Sequence, residues 1–484
     1  MLGSKQSALP VSLLIIALAV GVGLIVVLLD TMTAEWVYMV PLGLMVVIVT
    51  VWSLWRFPIA PYLIFPLSVL ELMYVTVAGV NVRPHQIVTL LAIVALVLRG
   101  KVVMPRGLVD WACVIYLLVN GISILYSYSR IESIEMWLLY AMQIGTLYAS
   151  QKFLDTPSRV QKFLPFFLSS GFVLTAVGLI QIILIVVGIL PPYRDAWMIP
   201  TGRPPGTFVE AAWLAAFSLF FLIVYIPYLY SKRFSRYRII VITAWLLMLV
   251  TNLFCMARAA WLGLLAGILL QLSLMLWLRP KGGRGLLNLI ACRLLPMFMA
   301  LGLLAVLIVP NLADSFIHRF LDLGNRSESA ASLRIDDFRD VMKLVYKRPW
   351  TGYGIGTLET LMQDPVNNPR HRGFVNVALN VYLTMLFDAG IPGMLAGLLV
   401  TLSIPWEILR NAATASDPVD RDLLIALSVG MIALVLTFQF SNGFPRGWYW
   451  AIAGISLAIS RVKAKRSVEE VDMLEKLRGL GYVE

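Results

Sequence analysis

Charge is scarce in this chain. Only 14% of its 484 residues are Asp, Glu, Lys or Arg, while 60% are hydrophobic and the mean hydropathy is +0.83. A soluble domain is excluded, because so few charged groups cannot cover its surface. Cysteine is almost absent too. Cys113, Cys255 and Cys292 lie in or beside hydrophobic segments without metal-ligand spacing, which rules out a disulfide framework and a zinc site. The turn carrying Gly352, Gly354 and Gly356 lacks the spacing and the G-K-[ST] ending of a Walker loop. No cleavage signal accompanies the stretch Val11–Leu29, so it is expected to remain as a first span.

What the chain has instead is a series of apolar runs of spanning length. Hydropathy predicts about 14 spans, at roughly 11–29, 36–55, 60–80, 86–98, 107–125, 134–150, 163–190, 208–230, 238–256, 259–278, 288–310, 391–409, 422–441 and 446–461. The fold class expected is all-α: a polytopic transmembrane helix bundle of about 12–14 spans with one large external loop carrying short helices. Five regions follow from these boundaries. They are N-terminal transmembrane helices (1–190), helices carrying external arginines (191–310), the external loop (311–375), a re-entrant helix with the C-terminal spans (376–461), and a tail (462–484).

Alternate connections are rich in Lys and Arg. They hold Arg99, Lys101 and Arg106; Lys152, Arg159 and Lys162; Lys232, Arg233, Arg236 and Arg238; and Arg279, Lys281, Arg284 and Arg293. Arg461, Lys463, Lys465 and Arg466 end the last span. The positive-inside bias assigns all of these, and both termini, to the cytoplasm. The other connections then face outward, including the loop around Arg203, the short link before Arg258 and the long insertion. The amphipathic segment from Val468 to Glu484 is expected to dock on the membrane surface or a neighbour, without a catalytic part.

The insertion breaks the membrane pattern with Arg319, Arg326, Arg334, Arg339, Lys343, Lys347, Arg348 and Arg370–Arg372, mixed with Asp336, Asp337 and Asp340. Long loops on a rigid bundle commonly carry function. Four stretches stand out. In T-G-R-P-P-G-T-F-V-E, Arg203 is either an exposed arginine in a Pro-rich turn that restarts a helix at Phe208, or an anion clamp held by restricted backbone. Glu210 follows just inside that helix. In C-M-A-R-A-A-W-L-G, Arg258 either snorkels to the interface or marks a paired site, since an arginine at membrane depth costs roughly 2.5 kcal/mol or more.

The third stretch reads as a helix capped by Ser332, with an apolar face of Leu333, Phe338, Met342 and Val345 and with Arg334, Arg339 and Lys343 on another. Pro349 ends it before the Gly352, Gly354 and Gly356 turn. Both features are also common as plain structure. In the fourth, Asn376 and Asn380 stand i, i+4 on a helix re-entering the membrane, and D-A-G-I-P-G separates that helix from the next span.

Together these stretches resemble the O-antigen ligase/polymerase superfamily of bacterial membrane glycosyltransferases. The matching residues are Arg203, Gly206, Thr207 and Phe208; Ala257-Arg258-Ala259, with alanine for the usual serine; Arg334, Pro349, Gly352, Gly354 and Gly356; and Asn380, Leu383, Gly390 and Gly393. Order and spacing agree over about residues 200–400, and the earlier spans agree only in hydropathy.

The resemblance implies a glycan carried on undecaprenyl diphosphate and moved to an acceptor hydroxyl, either a growing glycan or lipid A-core, at the periplasmic face of the bacterial inner membrane. It implies Arg203, Arg258 and Arg334 as the clamp on the departing diphosphate, with no metal and no cofactor. Arg339, Gly352, Gly354, Asn376, Asn380 and Glu210 are the expected substrate-binding residues. Membrane lipids and a chain-length regulator are the other expected partners, and no nucleic acid. One departure stands out: Leu379 occupies the family histidine's position and cannot take a proton. His371 is the expected substitute, with Asp336, Asp337 and Glu210 as carboxylate candidates. The departure favours a repeat-unit polymerase over a ligase. A transporter and a scaffold with a basic loop are the competing classes, although no matching halves of the kind transporters show are evident.

Overall fold

The computed structural model describes residues 59–77, 80–98, 105–189, 193–194, 200–201, 203–294, 296, 330–363, 380–441 and 444–479. The expected spans 11–29 and 36–55 lie outside these residues, as do much of the insertion, His371, Asn376 and Leu379. The described chain is helical, apart from two small antiparallel ribbons. One pairs β1 (Val75–Val77) with β2 (Val80–Val82), the other β3 (Tyr193–Arg194) with β4 (Pro200–Thr201).

The helices are α1 (Ala60–Val69), α2 (Pro84–Leu98), α3 (Leu108–Ser123), α4 (Arg130–Phe153), α5 (Pro157–Val186), α6 (Ala211–Tyr230) and α7 (Arg238–Phe254). There follow α8 (Arg258–Leu278), α9 (Pro280–Leu289), α10 (Ala330–Lys347), α11 (Leu358–Gln363), α12 (Val381–Thr414), α13 (Pro418–Thr437) and α14 (Gly447–Gly479). Among the described residues 6 helices are long and apolar enough to cross a membrane: α3 with the short 3-10 turn after it, α5, α6, α7 with the one before it, α8 and α12.

α6 is the axis of the bundle. It is apolar on every side, and 94% of its spanning window is buried among α5, α7, α8 and α13. Close approach depends on small residues. A Cβ at Gly267 would meet Ile223 of α6, and one at Gly430 would meet Phe220 at 2.8 Å. Polar side chains tie the same helices together: Asn252 Nδ2 donates to the Ala215 carbonyl (2.8 Å) and to Ser218 Oγ (2.8 Å).

The helices share two ends. At one, Arg461 bonds Glu407 (2.6 Å) and Gln151 and lies 3.8 Å from Asp110. Arg279 bonds Asp422, which also accepts from Tyr230 Oη (2.8 Å); Lys463 bonds Asp420, and Arg233 lies 3.3 Å from Asp417. The Lys- and Arg-rich connections therefore gather at a common basic end. The turns carrying Arg203, Arg258 and the Gly352–Gly356 glycines sit at the other.

Several elements differ from the hydropathy reading. α6 begins at Ala211, not Phe208, because Gly206 takes φ +65° and Phe208 is pulled into the core against Phe217 (5.3 Å) and Trp448 (6.0 Å). Glu210 is thus the residue before the helix. α10 begins at Ala330, so Ser332 lies inside it. Its buried face is Val341, Leu344 and Val345, while Phe338 is exposed, because the contact it serves is with Leu383 and Phe387 of α12. The D-A-G-I-P-G break falls where expected: non-helical backbone at Ala389 and Gly390 kinks α12 and divides a short first stretch from the longer one that starts at Ile391.

Candidate active site at the open end

The Arg203–Glu210 turn is fixed from several sides. Gln181 of α5 grips Gly206 twice, accepting from its N–H (2.8 Å) and donating to its carbonyl (3.2 Å). Phe208 anchors the turn in the aromatic core. Two prolines restrict the rest, and Pro204 and Pro205 are buried. The turn holds Arg203 so that its Nε donates to the Cys255 carbonyl at 2.7 Å, across 52 residues of sequence. That carbonyl belongs to the open C-terminus of α7, where a cation is favoured.

Met256, with φ +49°, then reverses the chain, and Ala257 leads into α8 with Arg258 as its first residue. Arg203 and Arg258 are therefore brought to one place, both partly buried. Arg334 lies on α10, which packs on α12. Arg339, one turn further on, is exposed.

The glycine turn after α10 is a lock. The Tyr353 N–H donates to the Phe387 carbonyl (3.0 Å), the Gly354 N–H to the Asp388 carbonyl (2.9 Å), and the Ile391 N–H to the Pro349 carbonyl (2.8 Å). The Gly356 N–H donates to Asp388 Oδ1 at 3.2 Å, and Tyr353 stacks on Phe387 with centroids 5.0 Å apart. Gly352 at φ +64° abuts the Asp388 backbone, where a Cβ would come within 2.5 Å; a Cβ on Gly354 would strike Ser127. The turn thus mends the hydrogen bonds that the α12 kink breaks. It also reaches the α3–α4 connection: the Tyr128 N–H donates to the Tyr353 carbonyl (2.8 Å), Ser133 Oγ to the Ile355 carbonyl (2.7 Å) and Thr360 Oγ1 to Glu132 (2.7 Å).

Asn380 does not stand on a helix face. It caps α12, its Oδ1 accepting from the Tyr382 N–H (2.9 Å) and the Leu383 N–H (3.1 Å), and its Nδ2 donates to Gln439 (3.1 Å) beyond α13. A capping asparagine is legible from Asn380 followed by an apolar run, but its distant partner is not.

Other polar residues at this end escaped the sequence reading. Glu71, after α1, donates its backbone N–H to the Thr207 carbonyl at 3.2 Å. The Glu71 carboxyl takes no hydrogen bond from either arginine, and Nε of Arg83 and of Arg446 has no partner; the Val209 backbone N–H bears on Glu71 and the Gln143 side chain on His85. Burial pushes the Glu71 carboxyl above the usual range, while Arg446 and Arg83 pull it back. His85, at the start of α2, is pushed down to about 3, by burial and then by Arg83. Arg446, just before α14, sits over the Trp213 ring, 3.6 Å from its centroid.

Arg203 and Arg258 thus lie at one end of a helical bundle whose described residues include 6 helices long and apolar enough to cross a membrane. Residues 243–398, about a third of the chain, match the O-antigen ligase family model, which supports a relation to the O-antigen ligase/polymerase superfamily. The match spans Arg258, α10, the glycine lock, Asn380 and the α12 kink; Arg203 lies before it. No curated protein matches the chain.

Proposed function

We propose that the protein is a membrane glycosyltransferase of surface-polysaccharide synthesis. It takes a glycan from an undecaprenyl-diphosphate carrier at the external face of the inner membrane and transfers it to an acceptor hydroxyl, extending a polymer. The basic end is cytoplasmic and the open end periplasmic, as the positive-inside bias requires. The observation that carries the reading is the junction of Arg203 with the Cys255–Arg258 turn. It brings two cations from distant segments to one end of the bundle, inside or beside the O-antigen ligase match.

The acceptor oxygen attacks the anomeric carbon, the bond to the diphosphate breaks, and charge grows on the leaving group. Fixed guanidinium groups stabilise that charge most where water is partly excluded. Arg203 and Arg258 take this role, with Arg334 as the third cation. Asp388 and Asn380 hold the surrounding backbone and take no part in bond making. The family match by its description also favours a ligase that uses lipid A-core as acceptor, whereas Leu379 in place of histidine favours the polymerase.

Arg258→Ala and Arg334→Ala should each lower transfer by about 100-fold or more while the protein still inserts and keeps its thermal midpoint within the equivalent of about 1 kcal/mol. Normal polymer length and amount in both variants would reject the proposal. Reconstitution with a labelled lipid-linked glycan separates it from transport, since a transporter leaves the glycan–diphosphate bond intact.

A further inference from the structure

Beside the Arg203 turn lies a second charged group. Glu71 and Arg83 lie at the two ends of the α1–α2 connection, Arg446 precedes α14 and Glu210 precedes α6, so three separate connections meet here. These groups act on one another electrostatically: Arg446, Arg83 and Glu210 all bear on Glu71, and Glu71, Arg83 and Glu210 all bear on Arg446. Yet neither arginine hydrogen-bonds the Glu71 carboxyl, which the Val209 backbone N–H approaches instead, and the buried Nε of each arginine has no acceptor. A charged, partly desolvated arginine without an acceptor is costly, and such groups in membrane proteins mark binding sites.

The geometry narrows the ligand. The Trp213 ring holds the Arg446 guanidinium by a cation–π contact, and a guanidinium so held can grip a tetrahedral oxyanion through paired N–H groups. Arg446 and Arg83 are both partly exposed, whereas Glu71 is buried at 1% exposure behind them. The buried Glu71 carboxyl acts on both arginines and offsets their mutual repulsion. Trp213 lies in the first turn of the helix that the Arg203 turn leads into, and Glu71 is bonded to Thr207 of that turn. The two arginine groups therefore share one backbone support.

We infer that Arg83 and Arg446 form a second phosphate-binding half of the site, so that the diphosphate is held between this pair and the Arg203–Arg258 pair. The inference rests on the proposed glycosyl transfer from a lipid diphosphate, and it makes Arg446 and Arg83 binding residues, with Glu71 positioning them.

The test uses the full chain purified in detergent, with farnesyl diphosphate as the probe, inorganic pyrophosphate as the lipid-free anion and farnesol as the phosphate-free control. Binding is read from the ligand-dependent rise in thermal midpoint. R446Q and R83Q should each weaken farnesyl diphosphate binding about tenfold or more, the loss expected for a pair of charge-assisted hydrogen bonds. R446K keeps the charge but not the paired N–H groups, and should fall between wild type and R446Q. Pyrophosphate should show the same ranking, and farnesol should produce no shift in any variant.

Wild-type affinity in R446Q and R83Q, alongside a loss in R258Q, overturns the second half-site and leaves the proposed function standing. Undiminished affinity in all three, or a farnesol shift equal to that of farnesyl diphosphate, overturns the anion clamp itself. Should R446Q fail to assemble, R83Q decides the question.

Discussion

The two ends of the bundle handle charge in opposite ways. At the basic end cations meet anions in contact: Arg461 with Glu407, Arg279 with Asp422, Lys463 with Asp420. At the open end Glu71, Arg83 and Arg446 feel each other without touching, and buried polar atoms are left without partners. A closed network stabilises helix ends and fixes their register; an unclosed one holds electrostatic energy that a ligand can release. The ion pairs of the basic end tie the helices together, and the open end is where binding is proposed. The glycine lock gives the open end its rigidity by other means, through backbone bonds between the turn and the α12 kink.

That contrast can be broken in graded ways. The largest effect on stability is expected from Gly390→Ala. Its φ of +66° disfavours a side chain, and a Cβ would lie 2.5 Å from the Trp350 backbone. A loss of about 3 kcal/mol or more should appear as a sharply lower thermal midpoint or as failure to assemble. An unchanged midpoint would mean that the lock does not hold α12.

Arg461→Ala should cost about 2 kcal/mol, less than a fully buried pair because the arginine side chain is 33% exposed. Transfer per folded molecule should stay the same, measured as activity normalised to detergent-stable protein. Lost activity at full stability would contradict the division between the ends.

Gln181→Leu frees the Gly206 backbone and should cost about 1–2 kcal/mol, with a further fall in transfer from a loosened Arg203 turn. Separate measurement of midpoint and rate distinguishes the two losses.

The last effect is absent at neutral pH and appears only on acidification. His85 has a folded pKa of about 3, below the 6.5 of the free group. Its neutral form belongs to the fold, so its contribution is full above about 6.5 and is lost as pH falls toward about 3. The midpoint of wild type should therefore drop relative to His85→Gln as pH is lowered through that window, and parallel curves would refute the buried neutral histidine.

Much of the architecture is legible along the chain. The boundaries of α6, α7 and α8 fall within a few residues of the hydropathy reading, because a spanning helix satisfies its own backbone and announces itself by composition. The alternation of basic connections likewise assigns Arg233, Arg279 and Arg461 to one end. The glycine turn is visible as a turn, and Arg203 and Arg258 as unusual arginines.

Their meanings are not visible. Local pattern says that α10 has an apolar face, but α12 decides that Val341, Leu344 and Val345 are its buried members and leaves Phe338 outside. Gly352 and Gly390 look like independent breakers until the fold sets each against the backbone of the other's segment. Asn380, Gln181, Glu71 and Arg446 draw their roles from residues far away in sequence. Hydropathy and net charge are sums over neighbours in the chain, so the sequence alone determined which segments enter the membrane and which of their ends group together. Hydrogen bonds, ring stacking and unclosed charge depend on atoms within a few ångströms in space, and only the tertiary structure decided those.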